Sequence, residues 1–203
     1  MKLEEEALLC GIILGDGCLS IHKRKSGGSQ FRIVVTLNAR DVKLAKIVHE
    51  LFKKLNPDRK PLMVKRTKWS AVEVRMHSKE TLYKLSKRWG LPVGVKKDIT
   101  IPKIFTRRWS LLKFVFAGLF ATDGTLIYAK QHRNEGYYPR VEFYSSSPKL
   151  VRQIHGSLKG RGYKISQWSG RLSINGEESL KKFNREIGFI NDGQREKLKI
   201  YTK

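Results

Sequence analysis

Two hydrophobic periods alternate along this chain, and the changes between them divide it into short elements. Residues 7–14 and 114–121 are unbroken apolar runs, each predicting a short apolar helix. Residues 19–25 read as a strand, and Ser26, Gly27 and Gly28 turn the chain. The segment 30–38 alternates strictly. Phe31, Ile33, Val35 and Leu37 fall on one face, and Gln30, Arg32, Val34, Thr36 and Asn38 on the other. Between 42 and 55 the period lengthens to that of an amphipathic helix, through Leu44, Ile47, Val48, Leu51, Phe52 and Leu55. A hairpin follows over 62–68 and 71–76, with Val72, Val74 and Met76 inward and Glu73 and Arg75 outward. Ser78 then caps a helix that buries Leu82, Leu85 and Trp89.

After a basic connector over 90–108 the scheme recurs. Strands are predicted at 126–130 and 139–145, a helix at 150–159, strands at 163–168 and 171–174, and a last helix at 177–187. Strand parity near 140–146 does not match the first half, which suggests a bulge. The expected fold is α+β, two αββαββα halves divided as 1–98 and 99–203. Spacing supports a duplication. Asp16 and Asp123 differ by 107 positions, as do Leu44 and Val151, Ile47 and Ile154, and Leu51 and Leu158. Leu82 and Leu180, Leu85 and Phe183, Trp89 and Ile187, and Gly90 and Gly188 differ by 98, so the second half lacks nine residues between Leu158 and Trp168.

The apolar helices carry the first chemical signal. Leu8 to Gly17 reads LLCGIILGDG and Phe116 to Gly124 reads FAGLFATDG. Small residues lie four apart in each, Gly11 with Gly15 and Gly118 with Thr122, leaving a groove where two helix backbones can approach closely. Each helix then ends in Asp-Gly. A carboxylate there faces the negative end of the helix dipole, at a cost of roughly 0.3–1 kcal/mol. If the helices pair through their small residues, both carboxylates meet, and such a cluster needs a cation.

Charge narrows the partner. Lys and Arg total 42 against 18 Asp and Glu, a formal net charge of +24, which points to a polyanion and equally fits a ribosomal protein. No signal peptide is visible, and the apolar runs are too short to cross a bilayer, so no membrane partner is expected. Cys10 and Cys18 fit no zinc spacing and are expected to be reduced. An intracellular setting, cytoplasmic or organellar, follows.

Both Asp segments resemble the LAGLIDADG motif of homing endonucleases, with Leu9 to Gly17 and Phe116 to Gly124 matching all nine positions. Two copies in one chain resemble the monomeric, pseudo-symmetric members. The resemblance implies motif helices packed at the centre and curved antiparallel sheets forming a DNA-binding saddle. It implies site-specific double-strand cleavage of DNA, leaving short 3′ overhangs, with Mg2+ or another divalent cation such as Mn2+. Asp16 and Asp123 would bind metal, joined by the carbonyls of Gly15 and Thr122. Lys96 and Lys97 resemble the basic segment that lies near the scissile phosphates, although a solvated basic linker reads the same way. Their second-half counterparts are Gln194 and Arg195, and Gln194 departs from the expected lysine. Asn38 and Ser145 end equivalent strands, where the family places a polar residue that helps position water.

Sequence reading would fall to the sheets, on a long specific site in double-stranded DNA. The candidates are Ser20, His22, Arg24, Gln30, Arg32 and Arg75 in the first half. In the second they are Lys130, Arg133, Arg140, Tyr144, Ser166, Trp168 and Arg171. Any of them could equally touch only phosphate. Trp69 and Trp168 sit at matching hairpin tips, fit either for the sugar-phosphate edge or for capping the core. Two alternatives stay open: an RNA maturase of the same fold that binds its intron RNA, and a non-catalytic DNA-binding regulator. The chain lacks a splicing-type Cys or Ser start and a His-Asn end, so an intein is not expected.

Overall fold

The computed structural model describes residues 1–130 and 137–202, without the side chains of 200–202. Its elements run α1 (Leu3–Asp16), β1 (Gly17–Lys23), β2 (Ser29–Asn38), α2 (Val42–Leu55), β3 (Leu62–Arg66), β4 (Ala71–His77) and α3 (Lys79–Trp89). The connector holds one short helix, α4 (Lys103–Thr106). Then follow α5 (Trp109–Asp123), β5 (Gly124–Lys130), β6 (Tyr137–Tyr144), α6 (Pro148–Lys159), β7 (Ile165–Trp168), β8 (Arg171–Asn175), α7 (Glu177–Glu186) and α8 (Asp192–Thr202).

Two antiparallel sheets form, ordered β1-β2-β4-β3 and β5-β6-β8-β7. In each, one face carries the apolar positions of the alternating strands. Leu19, Ile33, Val35, Val72, Val74 and Met76 are buried in the first, and Leu126, Val141, Phe143, Leu172 and Ile174 in the second. Helices cover those faces, and a single apolar cluster runs through both halves. Phe120 of α5 is a hub in it, 5.4 Å from the Phe143 ring and 5.0 Å from the Phe183 ring. Trp89 meets Phe105 edge-on at 5.7 Å, which ties α3 to the connector.

Between the sheets, α1 and α5 cross backbone to backbone. A Cβ on Gly11 would collide with the Val115 carbonyl oxygen. One on Gly118 would collide with Leu8 O and come within 2.7 Å of Ile12 N. Glycine is therefore required at both positions. Because the two helices contact each other here and core residues elsewhere, they are apolar all round, and Leu9, Ile12, Val115, Phe116, Leu119 and Phe120 are fully buried.

The structure corrects the sequence reading in three places. The β5–β6 and β6–β8 ladders are continuous, so no bulge interrupts β6. The parity mismatch comes from connection length: five residues separate β1 from β2, and six separate β5 from β6. Gly17 pairs with Val35 and Gly124 with Phe143, an offset of 108 inside a frame that otherwise keeps 107. Secondly, β1 starts directly at Gly17, with no loop after α1. Thirdly, α8 follows α7, in a segment where Leu198 is the sole buried apolar side chain among those described, too little to show a helical period.

Candidate active site and nucleic-acid interface

The crossing of α1 and α5 brings their last residues together. Asp16 and Asp123 are the final residues of the two helices, and both are half-buried. The approach is close enough that a Cβ on Gly15 would lie 2.5 Å from Asp123 Oδ2 and would overlap the Thr122 hydroxyl. Burial, followed by the charge of Asp123, pushes the Asp16 carboxyl up to about 6, against the pull of Lys96. Asp123 is also raised by burial, opposed by the Thr122 hydroxyl at 3.1 Å and by Lys96.

Lys96 answers this concentration of negative charge. Its Nζ donates to the carbonyl oxygens of Ile13 (3.2 Å), Leu14 (2.9 Å) and Gly15, the unsatisfied end of α1. Burial lowers its pKa, while Asp123 and Asp16 act the other way. Local backbone pairing sets this placement. Val93 bridges to Leu19 of β1, and Gly94 N donates to Leu19 O at 2.7 Å, so the connector is laid beside the end of α1. Lys97, next in the chain, is exposed.

The counterparts in the second half behave differently. Gln194 Oε1 accepts from Leu126 N at 2.8 Å, and its Nε2 reaches Thr125 Oγ1 at 3.2 Å. It thus binds β5 where the connector binds β1 through backbone, and it does not reach the acids. Arg195 is engaged by Asp192 at 2.6 Å on its own helix. Asn38 and Ser145 each accept from the N–H two residues on, Arg40 at 3.0 Å and Ser147 at 3.2 Å, so both brace the turn into the following helix.

On one side of the acid pair lies a cleft of about 780 Å3, whose lining includes Asp16, Asn38, Asp41, Thr122, Gln194 and Lys197. Its far wall is α8, docked on the start of α2 by Asn191 to Asp41 (2.9 Å) and Lys43 to Asp192 (3.0 Å). Asp41, Asn191 and Lys197 escape a reading by motif, because α8 approaches the pair only through tertiary packing.

The donor set around the pair suits a hard cation. Two carboxylates and main-chain carbonyls at a helix C-terminus are all oxygen ligands, and an ammonium already sits against the carbonyls. Among the described residues no group of three or more His, Cys, Asp or Glu side chains forms a metal cage. A bound ion here would accordingly take few protein ligands.

The open faces of the sheets hold most of the proposed reading residues. Register places Ser20, His22, Gln30, Arg32 and Arg75 on the open face of the first sheet, and Arg24 just beyond it in the β1–β2 turn. The open face of the second sheet bears Arg140, Tyr144, Ser166, Trp168 and Arg171. Lys130 departs from this set: it shares parity with Leu126 and Tyr128, on the opposite face at the strand end. Arg133 lies outside the described residues. Trp69 and Trp168 are both exposed, and the Arg140 guanidinium lies 5.9 Å over the Trp168 ring. Strand parity also places Arg66, Ser173 and Asn175 on these faces, Ser173 being buried there.

Residues 111–188 match the family of LAGLIDADG-like domains. The chain carries the same small-residue spacing and the same closing Asp-Gly on each of the two crossing helices. Its fold is that of I-DmoI, whose complex with DNA and calcium superposes with a TM-score of 0.68 at 20% identity, covering 98% of each chain. The complex of I-DmoI with DNA and manganese gives 0.66 at 21%, covering 91% of this chain and 96% of that one. The meganuclease I-AabMI bound to uncleaved DNA gives 0.60 at 14%, covering 96% and 87%. No curated protein matches the chain. No helix among the described residues is long and apolar enough to cross a membrane.

Proposed function

We propose that this protein is a site-specific, metal-dependent double-strand DNA endonuclease of the homing class, acting as a single chain. The observation that carries the reading is the pair of half-buried carboxylates, Asp16 and Asp123, at the ends of two crossing helices between two basic sheets. Those helices share a spacing and an ending that a purely structural crossing does not require. Solved structures of the same fold were captured with DNA together with calcium or manganese.

Asp16 and Asp123 would hold the divalent ion, with Gly15 O and Thr122 O as further oxygen donors. Bound there, such an ion supplies a Lewis acid and a more acidic water for phosphodiester hydrolysis. The protein's own groups do the rest. The sheets bind and orient the duplex, and the crossing fixes the distance between the two carboxylates. Lys96 offers an ammonium to the charge that develops on a scissile phosphate. Asn38 and Ser145 hold the turns that flank the pair. The salt dependence of binding should be steep, about −0.9 in log–log slope per phosphate contacted.

The test is cleavage of a randomised duplex library, with and without magnesium or manganese, at about 150 mM salt, a level at which non-specific contacts are weakened. Recovery of one cut sequence, dependent on the ion and on both aspartates, supports the reading. Affinity for random duplex equal to that for any selected site, with no cleavage, reduces the protein to a general basic binder. Tight binding of a folded RNA without DNA cleavage would favour the maturase alternative.

A further inference from the structure

Each sheet buries one carboxylate on its open, basic face. In the first sheet it is Glu73 on β4, 7% exposed. Arg75 Nη2 lies 3.0 Å from it, Arg66 approaches with Nη2 and Nε at 3.1 Å each, and Arg32 Nη2 lies at 3.4 Å. In the second sheet it is Glu142 on β6, 8% exposed, with Arg140 at 2.7 Å and Arg171 at 4.0 Å. Burial opposes the charge on Glu73, but the hydrogen bond from Arg66 and three guanidinium charges prevail and hold the carboxyl below its ordinary range.

An acid here is unfavourable for holding a polyanion. It repels phosphate, and it neutralises arginines that would otherwise bind backbone. The core gains nothing from it either, because Glu73 and Glu142 point away from the apolar face. What the acid does supply is geometry. An arginine has five N–H donors in a rigid fork, and a carboxylate that takes one side of it fixes where the other side points. Each guanidinium carries more N–H donors than the carboxylate engages, and the Arg32, Arg75 and Arg140 side chains stay partly exposed, so donors remain for a further acceptor. Bidentate reading of guanine needs such a fixed fork, whereas a phosphate contact tolerates a mobile one.

We infer that Glu73 and Glu142 are specificity-determining positioning residues, which aim the arginines of their own sheets at base edges and suppress sequence-independent binding. This rests on the proposed function. It also separates the arginines into classes. Arg32, Arg66, Arg75, Arg140 and Arg171 are aimed, while Arg24, without such a partner among the described residues, is left for phosphate.

The experiment uses the full-length chain and the site selected by the unmodified protein. Glu73→Gln and Glu142→Gln keep the shape and remove the charge, and Glu73→Asp keeps the charge and shortens the reach. Each variant is profiled base pair by base pair for binding, alongside affinity for random duplex and thermal melting. Glu73→Gln should raise random-duplex affinity while discrimination drops about tenfold at a few adjacent pairs of one half-site, and Glu142→Gln should do the same in the other. Glu73→Asp should lose the discrimination without the gain in random affinity. Unchanged base profiles in folded variants would overturn the inference, as would a uniform loss across both half-sites that tracks melting. Absence of any preferred site in the unmodified protein would instead sink the proposed function.

Discussion

The two ends of the acid pair are built from the same unit yet solve the same electrostatic problem differently. On the α1 side, the connector is pinned to β1 through the backbone of Val93 and Gly94, which leaves the Lys96 side chain free to enter the site and cap three carbonyls. On the α5 side, the side chain of Gln194 is spent on pinning α8 to β5. One half thus delivers an ammonium, and the other delivers a helix that walls a cleft lined by Asp16 and Lys197. Whether a strand is held by backbone or by side chain decides what remains for chemistry.

Ways to break that comparison follow in order of expected effect. Asp16→Asn and Asp123→Asn should each abolish double-strand cleavage while the folded protein still binds its site, as measured by gel assays of supercoiled and linear substrate. Residual nicking of one strand in either variant would mean that the two sites hold separate ions. Full double-strand cleavage by both would end the nuclease reading. Next, Lys96→Met should slow single-turnover cleavage by about 10²–10³-fold, the scale of losing one positioned donor. Affinity should hardly move, and Lys97→Met should leave both nearly intact. The strand served by Lys96 should be cut first in the unmodified protein, seen as a transient nicked species whose rise Lys96→Met suppresses. Equal losses from Lys96→Met and Lys97→Met would mean that the pair is only phosphate-binding linker.

The crossing itself can be tested for stability. Gly118→Ala should cost about 1–3 kcal/mol or more, because the new methyl meets Leu8 O and Ile12 N, which are backbone and cannot turn aside. Gly156→Ala in α6 meets nothing within 4 Å and should be level or stabilising. Chemical denaturation of the two variants gives the comparison directly.

The smallest effect concerns pH. The folded-state value of Asp16 stands at about 6, above that of the unfolded chain, so the folded protein holds a proton the unfolded chain has lost. Stability from this group is full below the unfolded value near 4 and declines as pH rises through about 6. Metal-free protein should therefore melt lower at pH 7 than at pH 5, and Asp16→Asn should reduce that difference by roughly 2–4 °C, allowing for solvent screening. A slope identical in the variant would show that Asp16 is not in the raised state.

Much of this was legible in the chain because duplication writes each feature twice. The glycine spacing, the closing Asp-Gly and the core anchors of α2 and α6 needed no tertiary information. What escaped was fixed by lengths and by packing. One extra residue between β5 and β6 shifts Arg140 into the place of Arg32, and no local pattern marks it. Lys130 looks like a basic strand residue, yet its parity depends on that same junction. Lys96 and Lys97 are indistinguishable as neighbours in a basic run, and the backbone bridge at Val93 separates them. Helix α8 carries too little apolar surface to announce itself.

The displaced register of β6 has a consequence for any duplex laid across both sheets. Although the helices at the centre repeat one spacing and one ending, the sheets that follow them are not copies. The buried acid sits on β4 in one and on β6 in the other, and the guanidinium array differs accordingly. A target matched to both would have a left and a right and could not be palindromic. The molecule would then seat on it in a single direction, and a duplex built by inverting either half-site upon itself would fit only one of the two sheets.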